Sequence, residues 1–349
     1  MALAEVKPIE LALQGGGAHG AFTWGVLDRL LEDRRLQIEG ISGTSAGAMN
    51  AAIVAHGIFD GGCDAARAGL EDFWSAVSAA TRLSPMHRSP LEILFGRWSL
   101  DWSPGFLTLE AISRLFTPYD LNPLDINPLR EILARHIDFE CVNHCTDLRL
   151  FITATNVRTG LPKVFRQPEI TLDSLMASAC LPTLFKAVEI DGESYWDGGF
   201  MGNPTLFPLV DECSGRDIVL VQINPIYRDK VPTTAPEIAD RINEITFNAS
   251  LIKELRSIGF LWELINGEAL AREGYRDVRL HRIHADEAMQ QLSASSKLIG
   301  EWEFLTHLRD VGRATADQWL EENFDQLGHK STFDIGFVYP ESLRPAYLS

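Results

Sequence analysis

The start of the chain alternates between short apolar runs and longer amphipathic ones. Apolar runs at 9–14 and 36–42 each lead into a glycine-rich turn, which predicts two buried strands. Residues 19–33 and 46–57 carry apolar side chains at helical spacing, which predicts two helices, the second ending at Gly57 as its C-cap. This repeated strand–turn–helix order is typical of an α/β fold with a largely parallel sheet.

The pattern changes after residue 57. Residues 58–147 are irregular and rich in helix-like segments. Later strand patterns lie at 149–165, 186–199, 217–224 and 276–284, and later helical patterns at 171–182, 237–267 and 297–327. We therefore predict a mostly parallel central sheet flanked by helices over residues 9–224, with a mainly helical C-terminal extension, 225–349, packed on it.

Composition narrows the classes of protein to which the chain can belong. It has 349 residues, of which 46% are hydrophobic and 23% are charged, as in ordinary globular proteins. The formal net charge of −17 repels nucleic-acid phosphates, so we expect no nucleic-acid partner. The same charge means that any contact with a membrane has to be hydrophobic rather than electrostatic. The sequence favours no particular oligomeric state.

Targeting and cysteine patterns indicate a reducing compartment. The N-terminal residues lack the features of a secretory signal, and no run of about 18 apolar residues could span a bilayer. The five cysteines are odd in number and follow no disulfide spacing. Cys141 and Cys145 lack the second pair that a zinc site needs. We expect a cytoplasmic protein, peripheral to membranes at most, without a metal or other cofactor.

A glycine-rich turn, "GGGAHG" at 15–20, joins the first predicted strand to the first helix. Its glycines Gly15, Gly17 and Gly20 match the G-x-G-x-x-G pattern of dinucleotide-binding turns. The physical content of such a turn is more general, because its backbone N–H groups and the helix N-terminus favour negative charge. The turn can therefore hold a phosphate or the oxyanion of a reaction intermediate.

A second motif, "GTSAG" at 43–47, lies between the second predicted strand and the second helix. In that context G-x-S-x-G is a nucleophile elbow, a strained turn that exposes the Ser45 hydroxyl. Gly43 and Gly47 are expected to be small because neighbouring chain passes close to them. The Ala46 N–H, at the helix start, can donate to an oxyanion. The sequence thus predicts a catalytic serine.

A serine nucleophile needs a base, and the chain offers two kinds. His281 and His284 come late enough to complete a serine–acid–histidine triad, but they alternate with apolar residues as structural histidines in a strand do. Asp197 follows a short predicted strand and precedes Gly198 and Gly199, so its carboxylate has little steric cover. Taken alone, this motif is better explained as an ordinary Asp-Gly turn.

Taken together and in this order, "GGGAHG", "GTSAG" and "DGG" resemble the patatin-like phospholipase family. The run "SACLPTLFKAVEIDGESYWDGG" before and through the aspartate is also similar, and the resemblance covers roughly residues 9–210. It implies a patatin-like fold, hydrolysis of lipid acyl esters by a serine–aspartate dyad without histidine or metal, and an oxyanion hole in the glycine loop.

Carried over residue by residue, the resemblance makes Ser45 the nucleophile, Asp197 the base and Gly15, Gly16 and Gly17 the oxyanion loop. The chain departs from the family pattern on either side of the glycines. Many members carry an acidic residue at the position of Gln14 and an arginine or lysine at that of His19. The implied substrate is a lipid or another acyl ester, reached by peripheral contact with a membrane or lipid aggregate.

Several alternatives stay open at this point. The same dyad could cleave short-chain esters, thioesters or storage polyesters. A non-enzymatic dinucleotide- or phosphate-binding module is a remote alternative, because the second strand ends without a ribose-binding acid. A catalytically quiet scaffold is argued against by the complete dyad. The apolar segment 91–107, which includes Trp98 and Trp102, could fill the core, line an acyl pocket or contact lipid.

Overall fold

Eight strands form one sheet among the residues that the structure, a computed structural model, describes: 6–82, 84–266, 277–336, 338 and 340. The strands are β1 Lys7–Leu13, β2 Leu36–Thr44, β3 Arg149–Asn156, β4 Pro162–Arg166, β5 Val188–Ile190, β6 Glu193–Asp197, β7 Asp217–Gln222 and β8 Arg279–His284. Their order is β5-β6-β3-β2-β1-β7-β8, and β4 also pairs with β3.

The centre of the sheet is parallel and its β5–β6 edge is antiparallel. Strands β1, β2, β3, β7 and β8 run in one direction, whereas β4 and β6 run against β3. β1 and β7 are apolar along most of their length and almost wholly buried, as strands covered on both faces are. The carboxyl ends of the parallel strands meet at one edge, which is where ligands collect in such sheets.

Helices cover both the sheet and its edges. They are α1 Gly20–Asp33, α2 Ala46–Gly61, α3 Cys63–Thr81, α4 Pro90–Leu94, α5 Pro104–Ser113, α6 Pro118–Leu121, α7 Pro128–His136, α8 Phe139–His144, α9 Leu172–Ser178, α10 Phe207–Glu212, α11 Ala235–Asn266, α12 Asp286–Met289 and α13 Trp302–Asn323. None of the helices in the described part of the chain is both long and apolar enough to cross a membrane.

The predicted fold class is confirmed: a mostly parallel central sheet is flanked by helices, and the C-terminal region is largely helical. One local prediction is wrong, because α2 does not end at Gly57. It continues to Gly61, and the residue that ends it is Gly62, whose φ is 78°. Gly57 instead allows α2 to lie against α3, where a side chain would overlap the backbone of Ala66.

Residues after 224 are joined closely to the residues before it. Strand β8 extends the same sheet beyond β7. Helix α13 packs on α1 so tightly that a side chain at Gly25 would overlap the Arg309 carbonyl, and one at Gly312 would overlap that of Phe22. The sheet and its helical cover therefore span the boundary that the sequence pattern places at 224.

Candidate active site

Ser45 lies on the turn between β2 and α2, in the geometry of a nucleophile elbow. Its φ of 53° and ψ of −123° place a non-glycine residue in the left-handed half of conformational space, which is strained. A Cβ on Gly43 would stand 2.7 Å from the Gly47 carbonyl oxygen, and one on Gly47 would overlap the Leu13 carbonyl oxygen. Both motif glycines are thus required by the close approach of β1, β2 and α2.

The glycine loop, residues 15–17, runs directly beside this serine. A Cβ on Gly15 would stand 2.8 Å from the Ser45 Cβ, so the loop and the nucleophile are in contact. The N–H groups of Gly16 and Gly17 have no hydrogen-bond partner among the described residues. Gly17 has a φ of 57°, which favours glycine. These two amides are free to donate to a ligand.

Gly15 differs from the other two loop glycines. Its N–H donates to the Asn203 Oδ1 at 2.6 Å, and its carbonyl accepts from the Asn224 Nδ2 at 3.1 Å. The prediction that Gly15 is an oxyanion donor is therefore corrected, because its single N–H group is already bonded. The Ala46 N–H lies in the first turn of α2, where backbone N–H groups have no partner within the helix.

Asp197 ends β6 and is almost fully enclosed. Its side chain is 1% exposed, and Oδ1 accepts the Gly199 N–H at 2.7 Å. Oδ2 is buried and makes no hydrogen bond of good geometry with the described residues. Burial raises the pKa of the carboxyl to about 6, against the opposing effects of the Gly199 N–H, the Ser45 hydroxyl and the charge of Lys297. A carboxylate with this pKa is a better base at neutral pH than an exposed one.

The two motifs meet because β3 lies between their strands. Thr44 pairs with Thr153, and the next residue of β3, Ala154, pairs with Asp197. The Thr44 hydroxyl donates to the Gly202 carbonyl at 2.6 Å, which ties the turn after Asp197 to the end of β2. The sheet register therefore brings the Ser45 and Asp197 side chains to one site.

The remaining motif glycines are all sites of close packing. A side chain on Gly198 would overlap the Thr153 carbonyl, and one on Gly199 would overlap the Phe247 ring. A Cβ on Gly20 would stand 2.6 Å from the Ala46 Cβ, which brings the start of α1 against that of α2. These glycines shape the site without supplying a reacting group.

Several polar residues of the site are not foreseen from the sequence. The Ser45 N–H donates to the Ser178 Oγ at 2.9 Å, and Ser178 donates to the Thr153 carbonyl at 2.6 Å. These two hydrogen bonds hold the Ser45 backbone against β3. Asn203 has no local motif, and only the fold brings it to Gly15. A polar residue just after a motif, as Asn203 is after "DGGF", is the single signal that the sequence offers.

Gln14 and His19, where the chain departs from the family pattern, are both buried. The Gln14 Oε1 accepts the N–H groups of Ile223 and Asn224, at 2.8 and 2.7 Å, so it joins the glycine loop to the end of β7. The His19 Nε2 lies 2.6 Å from the Ser296 Oγ. Burial, together with the nearby Lys297, lowers the pKa of His19 well below its usual range, so the ring is neutral.

The two late histidines have other partners. The His281 ring is fully buried, with Nε2 2.9 Å from the Asp217 Oδ1 and Nδ1 2.9 Å from the Thr332 Oγ1. His284 lies at the end of β8 and pairs with Asp286. Within the described ranges, no group of three potential ligands could hold a metal ion.

An open groove of about 1250 Å³ lies apart from this site. It is lined by residues from α4 to α5 and from β8 to α13, among them Trp98, Arg282 and His307. Neither Ser45 nor Asp197 borders the groove, and both residues are buried. The groove is therefore separate from the candidate active site.

Comparison with known proteins gives one family match. The model of the family described as Patatin-like phospholipase matches residues 11–210. Comparison with the curated proteins gives no match. Among solved structures, VipD from Legionella pneumophila is similar at 15% identity and a TM-score of 0.38, over 89% of this chain and 68% of that one.

Two further solved structures are similar at comparable levels. The type III effector protein ExoU is 17% identical with a TM-score of 0.34, over 91% of this chain. The match covers 54% of that ExoU chain, about half its length. The ExoU–SpcU complex from Pseudomonas aeruginosa gives 17% identity and a TM-score of 0.33, over 96% of this chain and 74% of that one.

Proposed function

The chain belongs to the patatin-like phospholipase family, and from this premise we propose that it hydrolyses lipid acyl esters through a Ser45–Asp197 dyad. Membership of the family supports a lipid acyl hydrolase in general. The observation that carries the finer proposal is the pairing of a strained, positive-φ serine with a buried carboxyl across β3, beside a loop with unbonded amides.

The proposed reaction has two steps. Asp197 accepts the Ser45 proton as Oγ attacks the ester carbonyl, and the tetrahedral oxyanion accepts hydrogen bonds from the Gly16, Gly17 and Ala46 N–H groups. The intermediate collapses to an acyl-serine, and the alcohol leaves with the proton from Asp197. Water, deprotonated by the same carboxylate, then releases the acid. Losing one such oxyanion donor typically costs about 3 kcal/mol of transition-state stabilisation.

We propose that apolar residues 91–126 bring this site to lipid. Exposed large apolar side chains recur along this segment, a pattern that marks lipid or protein contact. They are Leu91, Ile93, Leu94, Phe95, Trp102, Leu107, Leu115, Phe116, Tyr119, Leu121, Leu124 and Ile126. With a net charge of −17, contact with aggregated lipid would be hydrophobic and weakly dependent on salt.

Two hydrogen bonds join the segment to parts of the chain near the site. Tyr119 accepts the Ala187 N–H at 3.3 Å, on the stretch of chain that leads into the hairpin carrying Asp197. The Leu100 N–H donates to the Ser295 Oγ at 3.0 Å, next to the Ser296 that contacts His19. These two contacts support the proposal that the segment presents lipid to the dyad.

The two tryptophans of the segment have different surroundings, which gives a matched test. Trp102 is 45% exposed, whereas Trp98 packs on Phe304 and under the Arg88 guanidinium. Trp102→Ser should reduce activity on phospholipid vesicles far more than on a soluble short-chain ester. Trp98→Ser should lower the melting temperature and both activities. Equal loss on both substrates in Trp102→Ser would refute the lipid-contact proposal.

The substrate class is tested with a panel. Purified protein is assayed against phospholipids, acylglycerols, short-chain esters, thioesters and a storage polyester. We expect turnover of long-chain lipid esters, lost by about 10⁴-fold or more in Ser45→Ala and Asp197→Asn. The matched controls are Ser75→Ala and Asp191→Asn, which change exposed residues outside the site and outside residues 91–126. Turnover of thioester or polyester alone would favour the corresponding alternative on the same dyad.

The cytoplasmic location stays a prediction.

A further inference from the structure

Lys297 places a positive charge from the C-terminal region beside the glycine loop. It lies in the short helical turn Ala294–Leu298, far in sequence from every motif. Its Nζ donates to the Asn224 Oδ1 at 2.8 Å and to the Asn243 Oδ1 at 2.7 Å. Burial of the ammonium lowers its pKa to about 8, which leaves it charged at neutral pH.

Two contacts connect Lys297 to the glycine loop. The Asn224 side chain that accepts from Nζ also donates, through Nδ2, to the Gly15 carbonyl at 3.1 Å. The Lys297 carbonyl oxygen itself lies against Gly17, where a Cβ would stand 2.5 Å from it. The side chain and the backbone of Lys297 therefore support the first and the last glycine of the loop.

A third contact connects Lys297 to the aspartate. Its Nζ lies 5.1 Å from the centroid of the Phe247 ring, which packs on Gly199. The Gly199 N–H is the group that holds the Asp197 Oδ1. Burial raises the pKa of Asp197, and the Gly199 N–H, the Ser45 hydroxyl and, to a smaller extent, the positive charge of Lys297 lower it. A buried carboxylate is costly without such a charge.

Other charged groups near Lys297 do not take over this role. Asp240 and Glu244, on α11, favour its charged form, and Glu244 is itself held by Arg228 and Arg241. His19 faces the same small space and is neutral. The Ser296 hydroxyl donates its proton to the Ser293 carbonyl. The hydrogen bond between His19 and Ser296 is therefore donated by the His19 Nε2.

We propose that Lys297 is a positioning residue by which the C-terminal region completes the active site. Its ammonium holds the glycine loop through Asn224, and its positive charge beside the Phe247 ring that packs on Gly199 favours the charged form of Asp197. This inference rests on the proposed dyad and gives residues after 224 a part in the reaction. Lys297 is not placed in contact with substrate.

The test compares pH profiles of kcat/KM for ester hydrolysis. Lys297→Met removes the charge, Lys297→Arg keeps it, and Lys253→Met removes an exposed lysine of α11 as the matched control. In Lys297→Met the acidic midpoint should move upward from about 6, with a larger loss of activity at pH 6 than at pH 8. Lys297→Arg should restore the midpoint. A folded Lys297→Met protein with the parent's midpoint would overturn the proposal.

A second variant covers failure of Lys297→Met to fold. Asn243→Asp keeps the shape of the side chain and adds a negative charge beside the ammonium. It should move the acidic midpoint in the same direction as Lys297→Met, by less, because the two opposite charges partly cancel at Asp197. An unchanged midpoint in Asn243→Asp would count against the inference.

A readout without substrate separates this inference from the proposed function. The free energy of unfolding is measured against pH with and without Asp197→Asn, in the parent and in Lys297→Met. The pH at which the difference changes marks the ionisation of Asp197. A higher value in Lys297→Met supports the role of Lys297 even if the parent hydrolyses no ester. The same value in both backgrounds overturns it.

Discussion

Replacing Asp197 with asparagine should make the protein more stable at neutral pH while removing its activity. The Asp197 carboxyl is buried, and burial raises its pKa from 3.8 to about 6. Well below pH 3.8 the group is protonated in both the folded and the unfolded chain. Between pH 3.8 and about 6 the unfolded chain has released a proton that the folded protein still holds, so stability falls as the pH rises through this window and levels off above it. Asparagine keeps the shape and never ionises.

The magnitude follows from the shift in pKa. One pKa unit corresponds to about 1.4 kcal/mol, so a rise of about two units costs the ionised folded state about 3 kcal/mol. Most of this cost, about 2 kcal/mol, develops between pH 4 and pH 7. Lys297 stays charged over this range, so it does not add a titration of its own.

The assay is urea unfolding of the parent and of Asp197→Asn at several values between pH 4 and pH 7. The amide introduced by the substitution lacks a partner at the former Oδ2 position, but this penalty is the same at every pH and cancels in the trend. Asp191→Asn, in the exposed turn of the same hairpin, removes an equal charge outside the site. A stability difference that does not grow with pH, or that grows equally in Asp191→Asn, would refute the reasoning.

Three further predictions concern the elbow, the histidines and metals. Gly47→Ala should cost about 1–3 kcal/mol of stability and most of the activity, because the added Cβ would overlap the Leu13 carbonyl. Thermal unfolding measures the stability and an esterase assay measures the activity. Parent-like values of both would contradict the packing argument. His281→Ala should lower stability, because Asp217 loses a buried partner, whereas His284→Ala should change stability little. Both variants should keep their activity per folded molecule. Loss of activity in either would replace the dyad with a triad. Activity should survive dialysis against EDTA, and restoration by calcium or zinc after a loss would contradict the metal-free reaction.

The elements with strong periodicity could be predicted from the sequence because local forces decide them. The apolar run at 9–14 and the helical spacing at 19–33 describe β1 and α1 closely. The end of α2 could not be predicted in the same way. Gly57 is a good C-cap by its residue type, but its role is to let α2 approach α3, and that contact depends on tertiary packing.

The residues of the candidate site also differ in whether local sequence or tertiary packing reveals them. Ser45, Asp197 and their glycines lie in contiguous motifs, so the sequence alone could propose them as site residues. Lys297 and Asn203 have no motif, because they act on the glycine loop through contacts that exist only in the folded chain. The bonding of the Gly15 amide could not be predicted for the same reason, since nothing local indicates that Asn203 occupies it.

The most direct test of the central claim is to identify the nucleophile by covalent labelling. The protein is incubated with a fluorophosphonate that mimics the tetrahedral intermediate, digested, and mapped by mass spectrometry. We predict one equivalent of adduct on the peptide containing Ser45, none on Ser45→Ala, and much slower labelling of Asp197→Asn at pH 7. Adduct on a different residue, or labelling of Ser45→Ala at the parent's rate, would contradict the assignment of Ser45 as the nucleophile.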